Sequence, residues 1–494
     1  MKNYNLILFF IYFFYLSLSG MGQGARPLPN HLQMAWHNME YYLFVHFGPN
    51  TFTGKEWGDG KEDAEIFNPP QTDCRQWARI ARQSGATGII ITAKHHDGFC
   101  LWPSKYSKHT VRETKCLYTI PQLGELGKYG QCDILKELSK ACKEFGLKFG
   151  VYISPWDRNH PDFGTAKYND FFVNMLKEIF TNYGPIWELW WDRANGEGPN
   201  ARLNGSFGQG KQQVYDWNRY EKTVREISPG TLIFSDIGPD IRWVGNENGI
   251  AGKTNWNYLD TAGYKRGIGA PHVDTLSTGN VNGKNWIPAE CDVSIRPGWF
   301  YHADEDNKVK SGEQLFNLYL KSVGWGANFL LNVPPDRRGL IHEKDSAALM
   351  DFKKLKDQSF KNNLLKKAKT YWEVSREALL KDSINFRMLN VKGNVYSINR
   401  PGFMVELPVA KKINCIVLQE AINLGQSIQN FKIVLYDKKI QVSEITGTTI
   451  GRKRILTFPS ATITSLKVYL DDRNGNDNIN GVAAYLIDEK LVEK

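Results

Sequence analysis

The sequence predicts a (β/α)8 TIM-like barrel followed by a C-terminal β-sandwich, on three observations. The chain has 494 residues, too many for one ordinary domain but enough for a barrel and a smaller module. From about residue 38, short β-rich runs alternate with amphipathic helical stretches, the pattern of a parallel α/β sheet. After about residue 370 the helices give way to alternating runs split by Gly, Asn and Lys turns.

Taken in order, residues 1–20 read as an export signal. Lys2 supplies the positive end, LILFFIYFFYLSL the apolar stretch, and Ser-Gly-Met-Gly the small residues for cleavage near Gly20. The apolar stretch is too short for a comfortable membrane span. The barrel is expected over residues 30–360. It opens with the strand YYLFVHFG, the helix CRQWARIARQSG and the buried strand TGIIITAKHHDG. CDILKELSKACKEFG, LKFGVYIS, NDFFVNMLKEIFTNYG and PIWELWWD continue the alternation, and YDWNRYEKTVREISPG and TLIFSDIG add another pair. EQLFNLYLKSVGWG, ANFLLNVPP and a helix around residues 344–361 close it. The sandwich is expected over residues 370–494, with FMVELPV, NCIVLQE, FKIVLYD, RILTFP and SLKVYLDD as strands.

The bulk numbers exclude several function classes. Hydrophobic content of 41% with 23% charged residues is a globular composition. The net charge of +10 comes from scattered lysines, not from a compact basic block, so no nucleic-acid partner is expected. The seven cysteines (74, 100, 116, 132, 142, 291, 415) lack C-x-x-C spacing, which argues against a cysteine zinc site. A disulfide among Cys100, Cys116 and Cys132 fits an exported protein, with the pairing left open.

The polar clusters follow the strands. His46 ends the first run, His95 and His96 follow IIIT, Ser154 and Trp156 follow FGVY, and Asp192 ends WELWWD. In a barrel these are C-terminal strand ends, which converge on one mouth. Tryptophans beside an acid suit a sugar, whose C–H face packs on an aromatic ring. Hydrolysing a glycosidic bond needs two carboxyl groups. Asp192 is the best nucleophile, although an Asp before Gly-rich sequence is commonly a turn residue. Its partner is Glu247 in DIRWVGNENG or Glu290 in WIPAECDVSIRPGWFYH, and spacing does not choose between them. Adjacent His95 and His96 point in different directions on a strand, and His46 belongs to H-x-G rather than H-x-H. No metal is therefore expected, and neutral histidines are read as hydrogen-bonding to sugar hydroxyls. Glu56-Trp57 offers a bidentate acceptor beside a stacking face. Two rivals remain at this point: a metal-dependent barrel hydrolase, and a non-catalytic glycan-binding protein on a hydrolase barrel.

Together, VHFGPNTFTGKEW, IITAKHHDGFCLWPSKYS, VYISPWD, ELWWDRANGEG and ANFLLNVPPDRRGLI resemble the α-L-fucosidases of glycoside hydrolase family 29, over residues 38 to about 345. The resemblance implies that Asp192 is the nucleophile, with Arg193 standing where the family usually has Gly. It implies sugar contacts from His46, Glu56, Trp57, His95, His96 and Tyr152, a floor that includes Trp190, and Arg242 beside the acid/base loop. RWVGNE is similar to the branch acting on α-1,3/1,4-linked, Lewis-type fucose. That implies Glu247 as acid/base and Glu290 as a sugar or supporting ligand. The expected partner is a fucosylated glycan, with no cofactor and no membrane span. The alternative is a broad-specificity enzyme acting on α-1,2 or aryl fucosides. An exported, periplasmic or secreted bacterial location is expected.

Overall fold

The computed structural model describes residues 26–116, 119–120, 125–126, 132–192, 212–266, 269–372, 402–472 and 479–492. The export signal and Arg193 lie outside them.

Eight parallel strands close a barrel: β1 (Tyr41–Val45), β2 (Gly88–Lys94), β3 (Lys148–Ile153), β4 (Ile186–Trp190), β5 (Leu232–Ser235), β6 (Ile241–Trp243), β7 (Ala289–Ser294) and β8 (Asn328–Asn332). They neighbour one another in chain order, and β8 pairs with β1 through Tyr42 opposite Leu330 and Phe44 opposite Asn332. Every residue of β1, β2, β5, β7 and β8 is buried. Such strands are covered on both faces, which is why they read as apolar runs without alternation.

Alternate residues divide the core. Tyr42, Phe44, Ile90, Tyr152, Trp190, Leu232, Phe234, Ile241 and Leu330 fill the barrel interior. The intervening residues pack outward on the helices α1 (Cys74–Gln83), α2 (Ile134–Glu144), α3 (Ala166–Asn182), α4 (Trp217–Ile227), α5 (Gly312–Lys321) and α6 (Glu343–Ser359). Asp73 caps α1 by accepting from the Arg75 and Gln76 amides.

The strands β6 and β7 fall in stretches that carry no strand pattern in the sequence. No helix separates β5 from β6; residues 236–240 alone connect them. Between β6 and β7 lies an insertion with a short ladder, Tyr258–Leu259 against Asn285–Trp286, and the short helix Val273–Thr278.

The C-terminal sheet contains β9 (Lys369–Trp372), β10 (Gly402–Glu420), β11 (Ile428–Asp437), β12 (Ile440–Gly447), β13 (Arg454–Asp472) and β14 (Ile479–Tyr485), all paired antiparallel. Register breaks between Glu406 and Lys411, and again between Ile413 and Cys415, interrupt the long β10–β13 pairing. Such breaks bend strands. Both halves of β10 (Phe403 and Val405, then Ile413, Ile416 and Leu418) therefore reach one core, giving the sandwich.

The sandwich is tied to the barrel's insertion. Gln426 Oε1 accepts from the Asn257 amide at 2.8 Å, and its Nε2 donates to the Asn255 carbonyl at 2.9 Å. The disulfide pairs Cys116 with Cys132, leaving Cys100 buried and free. Among the described residues no helix is long and apolar enough to cross a membrane.

Candidate active site

Asp192 stands just beyond the end of β4, and the Tyr152 hydroxyl donates to its Oδ2 at 2.9 Å. His96 Nε2 lies 3.8 Å from the same oxygen, and the carboxylate side chain is 25% exposed. Burial, and then the Asp192 charge, push Tyr152 well above its usual range, so its hydroxyl stays a donor.

Three neutral histidines surround this point. Asn332 Nδ2 donates to the Trp299 carbonyl at 2.8 Å and to Ser294 Oγ at 2.9 Å, which fixes its Oδ1 as an acceptor. His46 Nδ1, at 2.8 Å from that Oδ1, must carry its proton, leaving Nε2 as an acceptor. Burial holds His46 down to about 3 and His96 to about 4, the latter partly offset by Asp192. His96 Nδ1 lies 2.7 Å from Ser154 Oγ. Burial also drives His95 well below its usual value, and its ring lies nearly parallel to that of Tyr152.

Beneath them, Trp190 stacks between Phe234 (centroids 4.1 Å apart) and Tyr152 (5.4 Å). Trp57 stands at the rim, 47% exposed, edge-on to His96 and Trp156. The structure therefore gathers His46, His95, His96, Tyr152, Trp190, Trp57 and Asp192 at one mouth.

Three expectations need correction. The tryptophans of WELWW do not form one wall. Strand alternation turns Trp191 outward onto Trp217, and Trp187 packs edge-on to Tyr42 in the barrel's interior. Arg242 does not face the mouth. It points out of the barrel and spends its donors on the Leu276, Ile287 and Trp256 carbonyls and Asn255 Oδ1. Glu290 sits fully buried under Trp190, accepting from its indole at 2.9 Å and from Tyr42, beside Glu188. Burial raises both glutamates, and a carboxyl this deep supports the floor rather than meeting the sugar or its leaving group. Glu56 reaches the mouth but is engaged by the Trp299 amide at 2.8 Å and by His302 Nε2 at 2.6 Å, so it also fixes that loop.

Glu247 is exposed on the loop after β6, and Trp299 Nε1 donates to its Oε2 at 3.3 Å. The loop lies along β7. Gly249 has φ +73°, and a Cβ there would come within 2.6 Å of Val293 Cγ1. Next to Val293 is Asp292, buried, its Oδ1 accepting from Trp243 Nε1 at 2.9 Å. Burial and then the Glu247 charge push Asp292 well above the ordinary carboxylate range. Sequence reading passed over Asp292, Trp299, His302 and Asn332. For Asp292 the signal was present, because in E-C-D residues 290 and 292 share a strand face. The others act across the fold and left no local trace.

Comparison with known proteins agrees with this architecture. The alpha-L-fucosidase family profile matches residues 15–355. Alpha-L-fucosidase 1 of Arabidopsis thaliana is 36% identical over 98% of this chain and 94% of its own. A glycoside hydrolase 29 family member from a rumen bacterium superposes with a TM-score of 0.80 at 35% identity, covering 94% of this chain and 78% of that one. A Ruminococcus gnavus family 29 fucosidase solved in complex with fucose gives a TM-score of 0.78 at 27% identity, over 95% and 97% of the two chains. With the family profile spanning most of the chain and a relative 36% identical over 98% of it, the protein belongs to the α-L-fucosidases of glycoside hydrolase family 29.

Proposed function

We propose that this α-L-fucosidase releases terminal fucose from α-1,3/1,4-fucosylated glycans with retention, using Asp192 as nucleophile and Glu247 as acid/base. The observation that carries the reading is Asp192 itself, held by Tyr152 at the end of β4 and faced by His96, inside a ring of neutral histidines. Asp192 attacks the anomeric carbon. Glu247 protonates the departing glycosidic oxygen and then takes a proton from the water that releases fucose. In a productive complex the two carboxyl groups come to about 5–5.5 Å.

Asp292 faces Glu247 from β7. Burial and then the Glu247 charge raise Asp292 well above the usual range, so it stays a neutral neighbour that does not oppose the charge Glu247 carries as a base. Neutral His46, His95 and His96 supply hydrogen bonds to the sugar without competing for the transferred proton. Trp190 and the rings stacked on it offer an apolar floor to the sugar's methyl-bearing face. The preference for Lewis-type branches rests on RWVGNE, the segment that carries Glu247. An exported enzyme fits the N-terminal segment and the Cys116–Cys132 disulfide.

Proton NMR of the enzyme with a Lewis-type trisaccharide tests the reading. Fucose appearing first as the α anomer is the expected result. Early β-fucose would overturn the two-step mechanism. Release from α-1,2 or aryl fucosides alone would overturn the linkage assignment.

A further inference from the structure

A second cleft lies outside the barrel, between α5 and the sandwich, with a volume of about 580 Å³. Its lining is chemically uneven. Lys253, Lys321, Arg454 and Lys490 contribute four cations against one carboxylate, Glu313, which Lys490 already pairs. Ser311, Gln314 and Asn317 add polar groups along α5, and Trp325 adds an aromatic ring.

Arg454 is the unusual member. It opens β13, is only 5% exposed, and has no carboxylate partner among the described residues. Nη1 donates to the Lys253 carbonyl at 2.6 Å, while Nε is buried with no hydrogen-bond partner. The guanidinium and the Lys253 ammonium both lie within cation–π range of Trp325, at 6.0 and 5.7 Å from its centroid. Burial without a counter-charge brings Arg454 down to about 10. Buried charges are ordinarily paired, because removing an ion from water costs several kcal/mol. An unpaired guanidinium lining a cleft with further cations is therefore a site that an anion would complete. Arginine's planar fork suits carboxylate and sulfate oxygens in particular.

We propose that this cleft is an oxyanion-binding subsite, anchored by Arg454 with Lys253 beside it, that takes the carboxylate or sulfate of an acidic saccharide. The hydroxyl and amide groups of Ser311, Gln314 and Asn317 are suited to the sugar's hydroxyls. The site is separate from the catalytic mouth and would hold a charged part of a glycan while a fucosylated branch is processed.

The test is calorimetric titration of the full chain with 3′-sialyllactose, a sulfated disaccharide, lactose and inorganic sulfate. None of these carries fucose. Saturable binding of at least one acidic saccharide, none of lactose, and a weakening of about tenfold or more in Arg454→Gln and Lys253→Glu are expected. Lys253→Glu is exposed and provides the decisive variant if Arg454→Gln fails to fold; its turnover of an aryl fucoside should be unchanged. No saturable binding of an acidic saccharide overturns the proposal, as does binding that Lys253→Glu leaves intact. Binding of free sulfate alone overturns its saccharide part.

Discussion

A histidine that refuses a proton is a fixed hydrogen-bonding partner, and burial makes His46 and His96 two of these. That choice has a consequence for stability. Their ordinary value is near 6.5, so between about pH 6.5 and 4 the unfolded chain binds protons that the folded chain does not. These residues therefore make stability fall as pH falls through that window. Buried Asp97, raised to about 7, acts in the opposite direction, so the effect is read by comparison. His46→Gln should lose less thermal midpoint than the parent between pH 7 and pH 5; equal losses would refute it. Asp192→Asn should lower kcat by at least about 1,000-fold, ~4 kcal/mol of barrier, while calorimetry still detects fucose binding. Near-normal turnover would remove Asp192 from its role. Asp292→Asn replaces a neighbour of Glu247 that burial already keeps protonated. The alkaline limb of kcat/KM on a Lewis-type glycan should therefore stay within about half a pH unit of the parent's. A larger downward shift would mean that Asp292 is ionised beside Glu247.

At the level of elements, the strands with apolar runs and the helices with amphipathic faces were readable because tertiary burial is written into them. The strands β6 and β7 were not. IRW is too short to show a period, and A-E-C-D-V-S places Glu290 and Asp292 on the inner face, where apolar residues would have marked a strand. The candidate site was legible to the extent that it follows strand ends: His46, His95, His96 and Asp192 do, and Tyr152 is the last residue but one of β3. Arg242 misled because its neighbours in RWVGNE belong to the mouth, while strand alternation sends its own side chain outward. The loop of Glu247 is held by Gly249 at positive φ against Val293. Gly249→Ala should destabilise the fold by roughly 1–3 kcal/mol in denaturant melts, from the strained backbone and the added contact. Because it displaces Glu247, it should slow hydrolysis of a glycan more than that of an aryl fucoside with a good leaving group. Equal slowing would show that the loop does not serve leaving-group protonation.

Over the whole molecule, the core on the barrel's outer face continues to Cys415, Val417, Ile455 and Ile487 of the sandwich, which keeps a second core of its own around Phe403, Ile413 and Ile433. One buried polar tie is centred on Gln426, whose side chain and backbone bond to Asn255, Asn257 and Tyr258. Gln426→Ala should cost about 2–4 kcal/mol, because it leaves buried partners unsatisfied. Calorimetry should then show the single unfolding transition broadening or splitting as the two modules come apart; an unchanged, single transition would place the tie elsewhere.

The helix missing between β5 and β6 gives this tie its meaning. Arg242 points out of the barrel where that helix would lie, and it grips the carbonyls of the 255–287 insertion, which Gln426 grips from the other side. The insertion and the sandwich together thus substitute for a lost piece of the barrel's outer wall. The natural unit of exchange between relatives is then not the sandwich cut off after α6. It is the sandwich together with residues 255–287, and a graft that moves one without the other would leave a barrel flank open to solvent.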